Sequence, residues 1–275
     1  MFTTKKKTKL PTLTFAPLSE ALYKSLFISF LRLYNINISV YLHPYSINII
    51  FIMCKSDVFH DEIGNDHIGT SDFTPLRADA FDKTDDEKIA SIRKDVENIL
   101  TTLGMDLTDD SLKGTPNRVA KMFVKEIFGG LNPEKKPTSS TFDNKYKYNE
   151  MLVEKNIVVY STCEHHLLPI VGRAHVAYIS SGKVVGLSKM NRIVDYYAKR
   201  PQVQERLTIQ IVEELKRVLN TEDVACVIDA KHLCVNSRGI RDIESSTVTS
   251  EFSGAFQNEM TRREFLDYIK LDTQF

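Results

Sequence analysis

The sequence predicts an α+β fold, and three observations carry that expectation. Apolar residues recur at helical spacing between residues 84 and 130 and again between about Gln202 and Leu219. Runs around Val153–Val159, Gly172–Ser180 and Asp223–Ala230 instead alternate, or are continuously apolar over strand length. Turn and cap signals punctuate both kinds of segment where each should stop.

The chain has 275 residues, with 36 basic and 36 acidic side chains and a formal net charge of zero. That length suits one domain of about 200 residues plus an extension. Charge balance argues against a general nucleic-acid binder, which shows a basic excess. Four cysteines, Cys54, Cys163, Cys226 and Cys234, are too few for a disulfide framework, so a reducing cytoplasm is the expected compartment. Cys226 lies in an apolar run and reads as a small buried hydrophobe.

Residues 1–54 differ from the rest. Lys5, Lys6, Lys7 and Lys9 open the segment, and Tyr34 to Met53 is rich in Ile, Asn, Tyr, Phe and Ser without a carboxylate. A signal peptide would need a small-residue cleavage site. A membrane anchor would need about 20 predominantly apolar residues, and Asn35, Asn37 and Pro44 interrupt the run. The expectation is an atypical extension outside the functional protein, with Met53 as the true start and no membrane contact.

Residues 55–83 are polar and read as a flexible arm. Thr84 with Glu87 forms a capping box for a helix whose apolar face is Ile89, Ile92, Val96, Ile99, Leu100 and Leu103, stopped by Gly104. Thr115-Pro116 predicts a second start, with threonine at the cap and proline at the first helical position. Gly129-Gly130 ends that helix, and 131–149 reads as a polar loop. A strand through Val153, Ile157 and Val159 ends at Cys163, and Gly172–Ser180 reads as its partner, turning at Ser181-Gly182. A short helix follows from Ser188. The long helix buries Val203, Leu207, Ile211, Leu215 and Val218. Asp223–Ala230 and Thr247–Ser253 are strands, and Arg262–Ile269 is a terminal helix.

The chemistry concentrates in Cys163-Glu164-His165-His166 and His232-Leu233-Cys234. Cys163 and His166 stand three apart, within reach of one ion, and Cys234 supplies a third ligand from a separate strand. Three protein ligands leave a fourth tetrahedral position open, as in catalytic zinc sites. His165 and His232 remain beside the metal as general acid and base. Glu164 reads equally as a carboxylate orienting a histidine or as a solvated loop acid, and His175 reads as structural.

A second constellation is Ser188-Lys189-Met190-Asn191-Arg192. Ser188 can cap the helix, while Lys189 and Arg192 share one face of its first turn. Cations at a helix N-terminus oppose the macrodipole, and a bound anion would reverse that argument. Arg238, before Gly239, is a further cation near the metal. In Gln204-Glu205, at the start of the long helix, the glutamate complements the dipole. It would also accept two parallel hydrogen bonds from the N–H and amino edge of guanine, a pair that adenine does not offer.

These motifs, together with Gly186-Leu187-Ser188-Lys189, Arg200-Pro201-Gln202-Val203-Gln204-Glu205-Arg206-Leu207-Thr208, Ser237-Arg238-Gly239 and Thr115-Pro116-x-Arg118-Val119-Ala120-Lys121-Met122, resemble GTP cyclohydrolase I over roughly residues 84 to 270. The stretch Arg238–Asp242 looks more like bacterial members than animal ones. The resemblance implies Cys163, His166 and Cys234 as ligands of one zinc per subunit, and His165 and His232 as proton-transfer residues. It implies Glu205 with Gln204 on guanine, and Ser188, Lys189, Arg192 and Arg238 on ribose and triphosphate. It implies hydrolysis and rearrangement of GTP to 7,8-dihydroneopterin triphosphate with release of formate, the first step of pterin and folate biosynthesis. The implied fold is a tunnelling-fold (T-fold) domain over 84–275: an N-terminal helical part, 84–130, then, within 150–275, an antiparallel four-stranded sheet with helices on one face. The implied assembly is a homo-oligomer, a decamer of two pentameric rings.

Overall fold

The computed structural model describes residues 70–138 and 141–272; the expectations for residues 1–54, and for the arm before residue 70, lie outside the described residues. Helix α1 (Asp85–Thr102) starts at the predicted capping box: Thr84 Oγ1 accepts from the Glu87 N–H, and the Glu87 carboxylate accepts from the Thr84 N–H. Gly104, at φ +80°, follows its end in the left-handed region that glycine enters without a Cβ penalty. Helix α2 (Thr115–Met122) begins one residue earlier than expected. Gly114 is its cap and Thr115 its first helical residue, because Pro116 is equally tolerated within the first turn. It widens into a π-turn over Phe123–Ile127 before Gly129–Leu131 closes it in 3₁₀ geometry.

The predicted loop of 131–149 holds more structure than its composition suggests. A 3₁₀ turn spans Pro133–Lys135, and strand β1 (Thr141–Asp143) pairs with β4 (Lys183–Val185) in a small separate sheet. The main sheet contains β2 (Met151–Cys163), β3 (Pro169–Ile179), β5 (Pro201–Gln202), β6 (Val224–His232) and β7 (Thr247–Phe252) in the order β5-β2-β3-β6-β7. The four long strands are antiparallel. The expected count of four becomes five because Pro201 and Gln202 add a two-residue strand parallel to the end of β2. So short an edge carries no periodicity, and sequence pattern could not reveal it.

Helices α3 (Leu187–Ala198) and α4 (Gln204–Leu219) cover one face of this sheet. Met190, Ile193, Val194, Leu207, Ile211 and Leu215 pack there on Val159, Val176, Cys226 and Ile228, all 2% exposed or less. Each such side chain contributes about 1.5–3 kcal/mol of burial, and together they fix the helices that carry the site. The helices do not all lie on this face. The terminal helix α6 (Glu259–Lys270) places Phe265, with Phe256, over Met151, Ala177, Ala225 and Val227 on the other side. The rest of that second face leaves Val158, Tyr160 and Val248 exposed.

Candidate active site

The Cys163 turn is held by backbone bonds on both flanks. The Cys163 N–H donates to the Leu168 carbonyl at 2.8 Å, and the Leu167 N–H returns a bond to the Cys163 carbonyl at 2.8 Å, with Leu167 at φ +53°. On the other side the Glu164 N–H donates to the Gln202 carbonyl at 3.0 Å, so the short strand β5 pins the motif. Across β3, Ile170 pairs with His232 at the end of β6, and a single helical turn, α5 (Leu233–Asn236), then presents Cys234. Strand register, not loop flexibility, brings the two motifs together.

The donor atoms of Cys163, His166 and Cys234 lie within 4.8 Å of one another. Cys163 Sγ is 4.0 Å from His166 Nδ1. Donors at the usual zinc–sulfur and zinc–nitrogen lengths in tetrahedral geometry sit roughly 3.5 Å apart, so a small contraction suffices. Both thiols are buried. Burial, and then the neighbouring Cys163, push the Cys234 thiol up to about 11; a coordinated divalent cation reverses such a rise by favouring the thiolate. Two thiols and an imidazole with one tetrahedral position left over form a donor set suited to zinc.

His165 stands on the same turn, its Nδ1 3.7 Å from Cys163 Sγ and its Nε2 4.0 Å from Glu164 Oε1. Glu164 is not the solvated acid of the alternative reading, because Arg206 grips its carboxylate at 2.6 and 3.2 Å. His232 Nε2 lies 2.7 Å from Gln204 Oε1. The Gln204 amide is oriented by three acceptors of its Nε2: the Ile228 carbonyl at 3.1 Å, the Thr247 carbonyl at 2.8 Å and Thr249 Oγ1 at 3.1 Å. Its oxygen therefore accepts from His232 Nε2–H, leaving Nδ1 with the lone pair of the neutral ring. Gln204 is 1% exposed and its amide is engaged; its position is against His232, beside the place expected for a base-reading group. Burial lowers the pKa of His232, against the opposing charge of Glu205. Glu205, in the first turn of α4, is exposed.

One cleft of about 310 Å³ is lined by Cys163, His165, His166, Gln204, Glu205, His232 and Cys234. Lys189 and Arg192 line a different cavity, of about 250 Å³, with Lys125, Lys135 and Lys199 facing it and Asp195 as its only carboxylate among the described residues. Lys189 is buried and donates to the Thr138 carbonyl. Ser188 does not cap α3; Gly186 occupies the cap, and Ser188 lies inside the first turn with its side chain exposed. Ser188 and Arg238 line neither cavity. His175, read as structural, is buried and its Nδ1 accepts from the Asn156 N–H at 3.4 Å. Cys226 is fully buried, which raises its thiol far from ionisation.

Sequence reasoning passed over Arg206 and the three additional lysines. Arg206 carried a signal, a cation in the first turn of a helix against the dipole. The lysines had none, since their convergence depends on tertiary packing alone.

Residues 92–270 match the sequence model of the GTP cyclohydrolase I family. GTP cyclohydrolase 1 of Flavobacterium johnsoniae is 78% identical over 223 residues, covering 81% of this chain and 100% of its own length. The proteins of the same description from Vibrio parahaemolyticus and Aeromonas salmonicida are 51% and 50% identical, each over 72% of this chain and 90% of theirs.

Proposed function

The chain belongs to the GTP cyclohydrolase I family of enzymes, and from that membership and the cleft geometry we propose that it converts GTP to 7,8-dihydroneopterin triphosphate and formate, using one zinc per subunit. The observation that carries this reading is the convergence of Cys163, His166 and Cys234 with His165, His232 and Glu205 around one cleft. Zinc, when held by Cys163, His166 and Cys234, supplies Lewis acidity that brings the pKa of water from ~15.7 toward about 7. The remaining work falls to the chain's own side chains. Glu205 receives the N–H and amino edge of guanine, placing C8 toward the thiols. His165 and His232 then give and take protons as the imidazole ring opens, C8 leaves as formate, and the ribose rearranges to close the pterin ring. Imidazole is the side chain suited to both giving and taking a proton near neutrality. Gln204 holds His232 with its Nδ1 lone pair available.

Ser188, Lys189, Arg192 and Arg238 hold ribose and triphosphate. Because Lys189 and Arg192 face their own cavity, a complete site takes its phosphate cations from another copy of the chain. This fits a homo-oligomer, a decamer of two pentameric rings, and gives the exposed Val158, Tyr160 and Val248 a role in assembly. Residues 84–275 form the catalytic domain, with 84–130 as its helical part, and the extension 1–54 lies outside it. No helix among the described residues is long and apolar enough to cross a membrane. The setting is cytoplasmic pterin and folate biosynthesis, without nucleic-acid or membrane partners.

The test follows formate together with pterin fluorescence after oxidation, with GTP, ATP, GDP and guanosine, before and after chelation. Formate and pterin appearing together from GTP, both abolished by the chelator, is the expected result. Turnover of ATP at a comparable rate would overturn the role of Glu205, and formate without pterin would overturn the rearrangement.

A further inference from the structure

Arg206 is an unusual residue for its place. It stands in the first turn of α4, where a cation opposes the helix dipole, and its side chain is 3% exposed. A guanidinium tolerates such burial only when its N–H groups are met. They are met on two sides. Nη1 and Nη2 fork onto Glu164 Oε2 and Oε1 at 2.6 and 3.2 Å, and Nε donates to the Ser71 carbonyl at 2.7 Å. Glu164 in turn reaches to 4.0 Å from His165 Nε2, while the opposite ring nitrogen faces Cys163 Sγ at 3.7 Å.

The Ser71 end belongs to the arm that composition marks as flexible, and it lies outside residues 92–270. The arm is fastened a second time at Thr74, whose hydroxyl meets Arg200 Nη1 at 3.3 Å and Gln210 Nε2 at 3.5 Å. Arg200 is itself fixed: its guanidinium lies 4.7 and 4.6 Å from the ring centroids of Tyr196 and Tyr197, and Nε donates to the Gly130 carbonyl at 2.9 Å. A second cavity, of about 540 Å³, is lined by Ser71, Thr74, Glu164, His165 and Arg206 among others. His165 thus lines both this cavity and the cleft that holds the two cysteines. The His165 side chain is 32% exposed, so the polar groups beside it bear on where the ring points.

We propose that Arg206 and Glu164 are a positioning pair that aims His165 into the cleft, and that the arm at Ser71 and Thr74 completes the seat of Arg206. The role assigned to His165 rests on the reading above; the geometry of the pair does not.

Three variants of the full chain test this: Glu164→Gln, Arg206→Met, and the two combined. Removing such a supporting partner typically costs 10–100-fold in activity. For each single variant we expect kcat to fall by about that factor, with KM for GTP and bound zinc unchanged. Crystal structures should show the His165 ring turned from the cleft, with Cys163, His166 and Cys234 in place. A single variant leaves one charge buried and unpaired, and can lose stability for that reason alone. The double variant removes both charges, so its melting temperature should recover while kcat stays low. Recovery of wild-type kcat in the double variant, or an unmoved His165 ring in Glu164→Gln, would overturn the proposal. If the unaltered chain releases no formate from GTP, the functional reading falls, and the ring position alone decides the pair. For the arm, Thr74→Val should lower kcat several-fold and Thr74→Ser should restore it; an unchanged kcat in Thr74→Val would remove the arm from the proposal.

Discussion

The metal cleft and the lysine-rich cavity are built by different means, although both hold residues expected in one active site. In the cleft, Cys163 ends β2, Cys234 follows β6, and Gln204 opens α4, each 9% exposed or less and each placed by strand register or by a packed helix. In the cavity, Lys125, Lys135 and Arg192 project from helical surfaces and are exposed, and among its described cations only Lys189 is buried. Coordination and proton transfer need donors held to within about half an ångström, which rigid strand ends supply. Holding a polyphosphate needs charge more than fixed geometry, and long cationic side chains supply that from a surface. The difference teaches that the residues proposed for the chemistry converge on one cleft of a single chain, while the cations proposed for the triphosphate converge on a separate cavity.

Breaking the cleft should give the largest effect. Cys234→Ser removes one of the three proposed ligands, so zinc measured by atomic spectroscopy should fall well below one per subunit. Formate release from GTP should drop by at least about 10³-fold. Retention of full zinc with that substitution would mean that another residue completes the donor set.

Next in size is His165→Ala. The ring lies outside the proposed ligand set, so zinc should stay stoichiometric while kcat falls about 10²–10⁴-fold, the usual scale of lost general acid–base catalysis. Parallel loss of zinc and rate would move His165 into the coordination set and erase the division of labour inside the cleft.

The cavity should respond more weakly and in a different parameter. Arg192→Ala should raise KM for GTP about tenfold, the scale of one charged hydrogen bond, with zinc content unchanged. Mixed assemblies make the comparison sharper. Subunits carrying Cys234→Ser co-assembled with subunits carrying Arg192→Ala should regain sites of wild-type KM, about one in four on random mixing if two copies share each site. No such sites would place both halves in the same chain.

The sequence made the two motifs legible because metal and proton chemistry demands rare residue types at fixed spacing. The two main helices on the sheet were equally legible, since Leu207, Ile211 and Leu215 keep the 3.6-residue period they need to face the core. What escaped has a common cause. Strand β5 is two residues long, β1 is three, and neither can show a period. The engagement of Gln204 with His232, the grip of Arg206 on Glu164 and the convergence of Lys125 and Lys135 all join residues distant in sequence. Charge and spacing within a segment do not encode such contacts. The apolar face of α1 shows the converse: its period is correct, yet Ile99 and Leu103 are 58% and 71% exposed, so periodicity alone did not tell how much of the face this chain buries.

The smallest effect tests the joint between the two regions. Glu214, on α4, receives the Tyr197 hydroxyl of α3 at 3.1 Å, pairs with Lys136 at 2.6 Å, and is held by Arg217 at 2.6 Å, with its side chain 4% exposed. It thereby ties the helix that opens the cleft to the helix that carries the cations. Burial alone would raise its carboxyl, but hydrogen bonds from Arg217 and Lys136, then the charge of Lys136 and the Tyr197 hydroxyl, hold it below the ordinary value of 4.5. A carboxylate with a depressed folded pKa contributes stability that is fully present above its unfolded value and is lost as pH falls through the folded one. The contribution should therefore be intact at pH 6 and fade only below about pH 4.5, as the carboxylate protonates. Glu214→Gln keeps the shape and the Tyr197 contact but not the charge. It should cost roughly 1–3 kcal/mol at pH 7 and flatten the acid limb of stability, measured by urea unfolding between pH 3 and 7. Zinc content and KM at neutral pH should be unaltered if the joint only fastens two finished regions. A KM shift as large as that of Arg192→Ala would mean instead that the spacing of the helices sets the geometry of the anionic half.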